Sequence, residues 1–333
     1  MSSRVIVEKF ESECLRENPL KDPYQRELPV YLPEGYGASK QRYPVVYLLA
    51  GFTGWGARML NREAFAESMD QRLDRLIASG KLSPAIVVFP DCFTRYGGSQ
   101  YLNSSATGLY ETHLIEEVVP FIDKRYRTKA SAKQRAVAGK SSGGYVAVVL
   151  GMRHPQVFGV LACHSGDMGF EYCYQPDFPG AMVELERYGG VAGFLKQFFN
   201  KPKRSAQEFA ALNVLAMAAC YSPDPRVQPH GFDFPFDARS AALKPKVWAR
   251  WLGWDPVRMV DHHRDALKQL TLYVDCGVYD EYRLYAGARM FSEKLKHLGI
   301  AHTYEEFKDD HRSIQYRFDR SLSWMAKVFQ SGA

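Results

Sequence analysis

The chain has 333 residues, 46% hydrophobic and 24% charged, with 43 basic against 37 acidic residues and a formal net charge of +6. That balance excludes a disordered chain, whose apolar content is too low to offset the entropy of ordering. It also excludes a membrane span, because the longest apolar runs, residues 45–52 and 145–152, reach only about eight of the roughly 20 residues needed.

In chain order, the start Met1-Ser2-Ser3-Arg4 followed by Val5-Ile6-Val7-Glu8-Lys9 lacks the apolar stretch of a secretory signal, so a cytoplasmic protein is expected. Strands are expected over residues 5–13 and 26–32, the second stopping at the turn signal Pro33-Glu34-Gly35. Residues 43–49 form a near-continuous apolar run, as in a strand covered on both faces. Helical spacing of Phe65, Met69, Leu73, Leu76 and Ile77 predicts a helix over 64–79. A buried strand over 85–89 leads into a long polar loop over 97–105, a kind of segment that is often functional. A helix over 114–126, a strand over 134–138, a helix over 142–153 and a strand over 157–163 follow. The chain closes with strand 270–276, helix 284–298, strand 302–307 and helix 314–329.

Between residues 167 and 267 the alternation breaks into helical pieces (191–199 and 206–219), Pro- and Asp-rich turns, and an aromatic segment, 248–254. Strand–helix alternation elsewhere predicts one α/β domain over 1–333 with a mostly parallel central sheet flanked by helices. The broken stretch reads as a cap at 167–267, inserted between the sixth and seventh core strands. The six cysteines are far apart, without a C-x-x-C pair, and are expected reduced and mostly buried, with no structural zinc site. The densest basic stretch, Lys201-Pro202-Lys203-Arg204, is too short for a nucleic-acid face, and the positive excess reads as solubility. No nucleic-acid or membrane partner is expected.

Gly139-Lys140-Ser141-Ser142-Gly143 fits G-x-S-x-G. Five letters are a weak signal alone; their setting strengthens them. A β-type run (Arg135-Ala136-Val137-Ala138) precedes and a helix-compatible run (145–153) follows, the strand–turn–helix context of a nucleophile elbow. Such a turn strains its central residue and leaves no room for side chains beside it. Ser141 is therefore the candidate nucleophile.

A serine nucleophile needs a base, and the base needs an orienting group. In a parallel α/β sheet both belong just beyond the carboxyl ends of strands. His311 follows the last strand in Lys308-Asp309-Asp310-His311, and Asp280 follows the strand before it in Gly277-Val278-Tyr279-Asp280-Glu281. Glu281 is the rival acid, while Asp275 lies inside a strand, and Asp309 and Asp310 read as solvated. Donors for a developing oxyanion are expected at the Ser142 amide and at the Phe52 amide in Ala50-Gly51-Phe52-Thr53-Gly54. The plainer reading is that Gly51 and Gly54 only shape a turn.

With these residues in place, the chain resembles the esterase branch of the α/β-hydrolases, which holds enterochelin-esterase-like proteins, feruloyl esterases, S-formylglutathione hydrolases and mycolyltransferases. The resemblance runs from about residue 26 to 324. Its more specific stretches are 43–54, 98–104, 139–144, 154–158 with Ser165-Gly166, and 277–311. It implies the α/β-hydrolase fold, a triad on Ser141, Asp280 and His311 in that chain order, and an oxyanion hole at Phe52 and Ser142. Ala50, where many relatives have His or another polar residue, and Lys140, where His is frequent, depart from the pattern.

Gln100, Tyr101 and Asn103 sit in the long loop, where they contact substrate or bond their own backbone. Asp167 faces the pocket or anchors the cap. Trp248 and Trp251 share a helical face with Trp254; they line an acyl pocket or form the cap's own core. Asp261-His262-His263 is assigned no metal, because adjacent side chains diverge and no H-E-x-x-H pattern exists. The expected function is a cofactor-independent serine carboxylesterase acting on a small-molecule ester. Acyl transfer on the same site, or a non-catalytic binding module on the same fold, are the alternatives.

Overall fold

The computed structural model describes residues 3–331; Met1, Ser2, Gly332 and Ala333, part of the expected 1–333 domain, lie outside the described residues. The described residues form ten strands: β1 (Arg4–Glu11), β2 (Gln25–Leu32), β3 (Val45–Leu49), β4 (Ile86–Val88), β5 (Asn103–Ser104), β6 (Gly108–Leu109), β7 (Arg135–Lys140), β8 (Val160–His164), β9 (Thr271–Gly277) and β10 (Thr303–Phe307). Eight of them make one sheet in the order β1-β2-β4-β3-β7-β8-β9-β10, and β5 pairs with β6 apart from it. β1–β2 and β2–β4 are antiparallel; from β4 to β10 every pair is parallel. This is the mostly parallel, helix-flanked sheet of an α/β-hydrolase fold.

Burial on both faces explains the apolar runs. In β3, Val45, Tyr47 and Leu49 enter the core on one face while Val46 and Leu48 enter the core on the other. The first face is covered by the buried helix Ser142–Arg153, the second by helices Met69–Ala78 and Phe318–Ser331. Helix Met69–Ala78 starts later than expected because Ser68 and Gln71 form a capping box, with the Ser68 amide donating to Gln71 Oε1 at 3.1 Å. Phe65 thus stands outside the helix, fully exposed with a φ of 62°.

Two further differences have physical causes. The helix expected over 114–126 is wound as a π-turn over His113–Val118 before Val119–Arg125. Pro120 cannot donate its amide and crowds the preceding turn, which favours the looser winding. The polar-looking loop 97–105 is mostly buried, Asn103 and Ser105 excepted: Ser99 Oγ donates to the Cys92 carbonyl at 2.9 Å and Ser104 Oγ to the Ala219 carbonyl at 2.5 Å.

The stretch between β8 and β9, the sixth and seventh strands of the large sheet, holds helices including Phe178–Arg187, Val191–Asn200, Ala206–Tyr221 and Pro245–Leu252. Helix Phe178–Arg187 was not among the expected pieces; its Pro179 sits in the first helical turn, where the missing amide costs nothing. All six cysteines are free, five of them buried and Cys14 partly so.

Candidate active site

β7 ends at Lys140 and a helix begins at Ser142, so Ser141 stands at the turn, with φ 58° and ψ −130°. A non-glycine residue at positive φ is strained, and surrounding bonds must hold it. The Ser141 amide donates to the His164 carbonyl at 2.9 Å, and its own carbonyl accepts from the Tyr145 amide at 2.9 Å. The flanking glycines are sterically required. A Cβ on Gly143 would lie 2.2 Å from the Leu49 carbonyl oxygen, and one on Gly139 would lie 2.4 Å from the Gly143 carbonyl carbon.

The 50–54 loop abuts this turn: a Cβ on Gly51 would lie 3.0 Å from the Lys140 carbonyl oxygen and 3.2 Å from Ser141 Cβ. The Phe52 and Ser142 amides have no hydrogen-bond partner among the described residues. For Ser142 that is the usual state of a helix's first turn.

Beyond β9, the Asp280 carboxylate is buried and accepts from the Tyr282 amide at 2.9 Å through Oδ1. Its Oδ2 lies 2.7 Å from His311 Nδ1 beyond β10. Tyr282 stacks edge-on against the imidazole, 4.9 Å between centroids. The Glu281 carboxylate bonds elsewhere. Its Oε2 accepts from the His311 amide at 2.9 Å and its Oε1 from Arg312 Nε at 3.1 Å. Glu281 braces the loop, and the imidazole pairs with Asp280. Ser141, Ser142, Phe52 and His311 line one open cavity of about 1320 Å³, with Trp55, Tyr174, Phe209 and Tyr282 among its aromatic walls.

Asp167 also lines this cavity. Its Oδ2 accepts from Tyr174 Oη at 2.8 Å, Ser142 Oγ at 3.0 Å and Gln100 Nε2 at 3.3 Å. Burial pushes its carboxyl pKa up, against the pull of the Tyr174 hydroxyl and the nearby His311. A raised carboxyl pKa penalises folding above the raised value, and the penalty fades as pH falls below the ordinary 3.8. Asp167→Asn keeps an oxygen to accept the same three donors. We expect it to raise the Tm at neutral pH, by roughly 2–4 °C per kcal/mol relieved, with the gain vanishing below the ordinary carboxyl pKa. Thermal melts across pH check this; a gain independent of pH contradicts the assignment.

Gln100 and Tyr101 sit beside the 50–54 loop. Gln100 Nε2 donates to Tyr221 Oη at 2.9 Å, and Tyr101 Oη donates to the Ala50 carbonyl at 3.1 Å. Both line a small pocket beside Phe52 and Ser142 rather than the main cavity. Asn103 is a correction: it is exposed and clamps Thr112, whose amide it accepts at 3.0 Å, away from the cavity. Trp248 and Trp251, read as lining an acyl pocket or as the cap's own core, are not among the residues lining the cavity. Both are buried in an aromatic cluster with Phe178, and Trp251 Nε1 donates to Ser222 Oγ at 2.8 Å.

Sequence reasoning missed Tyr174 and Phe209, which reach the cavity from the stretch between β8 and β9 without any motif spacing. It noted Lys140 only as a departure. Lys140 lines the cavity; burial pushes its ammonium pKa down while Asp280, Glu281 and Asp310 pull it back.

A hydrogen-bonded Ser/His/Asp series lies elsewhere in the fold. His164 Nδ1 lies 2.7 Å from Asp275 Oδ1, and His164 Nε2 lies 2.8 Å from Ser321 Oγ. All three are essentially without solvent exposure, and Arg317 Nε donates to Asp275 Oδ2 at 2.8 Å. This series pins the C-terminal helix to the sheet; no substrate can reach it.

The chain matches the family model Esterase, described as "Putative esterase", over residues 23–326. It belongs to this esterase family. Among curated relatives, an endo-1,4-beta-xylanase/feruloyl esterase of Xylanibacter ruminicola is 36% identical over 141 residues, 41% of this chain and 19% of that protein. The chain therefore spans well under a third of that relative's length. Among solved structures of the same fold, a ferulic acid esterase superposes with a TM-score of 0.63 at 20% identity, covering 98% of this esterase-family chain and 99% of the other. An S-formylglutathione hydrolase from Staphylococcus aureus superposes with a TM-score of 0.60 at 14% identity, covering 98% and 100%. Among the described residues of this esterase-family chain, no helix is long and apolar enough to cross a membrane.

Proposed function

We propose that the chain is a serine carboxylesterase that hydrolyses small-molecule esters through an acyl-enzyme. The observation that carries this reading is the hydrogen-bonded His311–Asp280 pair opening onto the same cavity as the strained Ser141 turn. Ser141 Oγ attacks the ester carbonyl as its proton passes to His311 Nε2, and Asp280 holds the Nδ1–H and stabilises the imidazolium. In unliganded sites the nucleophile–base hydrogen bond is often long and tightens with substrate. The Phe52 and Ser142 amides receive the developing oxyanion. His311 then protonates the departing alkoxide, and water, giving its proton to His311, releases the acid and regenerates Ser141.

The aromatic walls suit a planar acyl group, and the names of the structural neighbours, ferulic acid esterase and S-formylglutathione hydrolase, supply the substrates to compare. The test is fluorophosphonate labelling together with initial rates on methyl ferulate, S-formylglutathione and p-nitrophenyl esters from acetate to decanoate. Labelling with hydrolysis of methyl ferulate is expected. A chain that stays unlabelled and hydrolyses none of these overturns the reading in favour of a binding role.

A further inference from the structure

Away from the cavity, the stretch following β1 meets the π-wound segment His113–Val118, and the meeting point is polar and largely buried. Cys14 Sγ, His113 Nδ1 and a Glu117 carboxylate oxygen all lie within 4.8 Å of one another. Cys14 Sγ is 3.3 Å from Glu117 Oε2, and His113 Nδ1 is also 3.3 Å from Glu117 Oε2. Ser12 Oγ adds a fourth group, 2.9 Å from His113 Nδ1, 3.4 Å from Cys14 Sγ and 2.5 Å from Glu117 Oε2.

We propose that Cys14, His113 and Glu117 form a structural zinc site with a water as the fourth ligand; the Ser12 hydroxyl, 2.5 Å from Glu117 Oε2 and 2.9 Å from His113 Nδ1, is too close to both to be a ligand and instead donates to the carboxylate. Tetrahedral zinc, with bonds of about 2.3 Å to sulfur and about 2.0–2.2 Å to nitrogen and oxygen, sets sulfur–oxygen and nitrogen–oxygen edges of roughly 3.6 and 3.4 Å. The Cys14–Glu117 and His113–Glu117 edges are both 3.3 Å, so these two need to open by only a few tenths of an ångström, and the Cys14–His113 edge is within 4.8 Å. Thiolate, imidazole and carboxylate are the donor set that zinc takes. The carboxylate is also held from outside: Glu117 Oε1 accepts from the Cys14 amide at 3.0 Å, the kind of supporting bond that orients a ligand.

The π-turn bears on the same point. Pro120 permits it, and such turns are frequently kept at functional positions, here one that puts His113 and Glu117 side by side. His113 is buried and Cys14 is partly exposed, which leaves an entry path beside the sulfur. On binding, the Cys14 thiol proton goes to solvent, and His113 binds through Nδ1 with its remaining proton on Nε2. The site ties the edge of the sheet to a helix and stands apart from the ester chemistry. The sequence expectation of no structural zinc rested on close spacing, and residues 14, 113 and 117 offer none across their widest gap.

The experiment uses the full chain, untagged, incubated with zinc sulfate and desalted, with metal content measured by mass spectrometry and the Tm measured with and without zinc. One zinc per chain and a Tm rise of several degrees are expected, both lost in Cys14→Ala and in Glu117→Gln. Cobalt(II) in place of zinc adds a thiolate-to-metal absorption band in the near ultraviolet, absent in Cys14→Ala. A chain that binds no zinc and shows no Tm shift overturns the proposal. So does a Cys14→Ala variant that keeps the stoichiometry and the shift of the parent.

Discussion

Ser141→Ala is expected to lower kcat by about 10⁶-fold, the loss seen when the nucleophile is removed from a serine triad, with KM little changed and fluorophosphonate labelling abolished. The substitution removes one oxygen that has no hydrogen bond among the described residues, so the turn keeps its geometry and the Tm stays near that of the parent. The residual rate reports the oxyanion donors and binding alone. The informative control is Ser321→Ala. Ser321 belongs to a hydrogen-bonded Ser/His/Asp series of its own with His164 and Asp275, yet it lies where no ester can go. Its loss leaves His164 Nε2 buried and unpartnered, at a cost of about 1–3 kcal/mol in stability, and kcat moves by less than about threefold. Equal loss of kcat in both variants, with both folded, contradicts the assignment of Ser141.

Ser141 and Ser321 show how far a sequence carries such an argument. G-x-S-x-G between a β-type run and a helical run placed Ser141 on a turn because local sterics alone demand it: no side chain fits at Gly143, 2.2 Å from the Leu49 carbonyl oxygen. The parallel sheet was legible for a similar reason, since β3 has to be apolar at every position to fill a core on both faces. Burial of the tryptophans in the insertion was not decidable from their spacing. A stripe at helical period looks the same whether it faces a substrate or Phe178. Asn103 misled because a polar loop at a strand end resembles a binding loop; here it clamps Thr112. The metal-ligand cluster was invisible because it depends on β1 being brought against a helix about a hundred residues later.

The choice between adjacent carboxylates is where geometry adds most, and it supports the second large prediction. Asp280→Asn is expected to lower kcat by about 10⁴-fold. The Asp280 carboxylate accepts from His311 Nδ1 at 2.7 Å and is fixed by the Tyr282 amide on its other oxygen. An asparagine held in the same place can turn its NH₂ toward Nδ1, which moves the imidazole proton to Nε2, the nitrogen that must be free to accept from Ser141. It also removes the charge that stabilises the imidazolium. Glu281→Gln tests the neighbour: its amide oxygen can still accept from the His311 backbone, and the lost pairing with Arg312, a largely exposed guanidinium, is weak. The expected effect is below about fivefold in kcat. The reverse pattern, a large loss at Glu281 and a small one at Asp280, would mean that the loop rearranges with substrate so that Glu281 takes the imidazole, and the pairing seen here would not be the catalytic one.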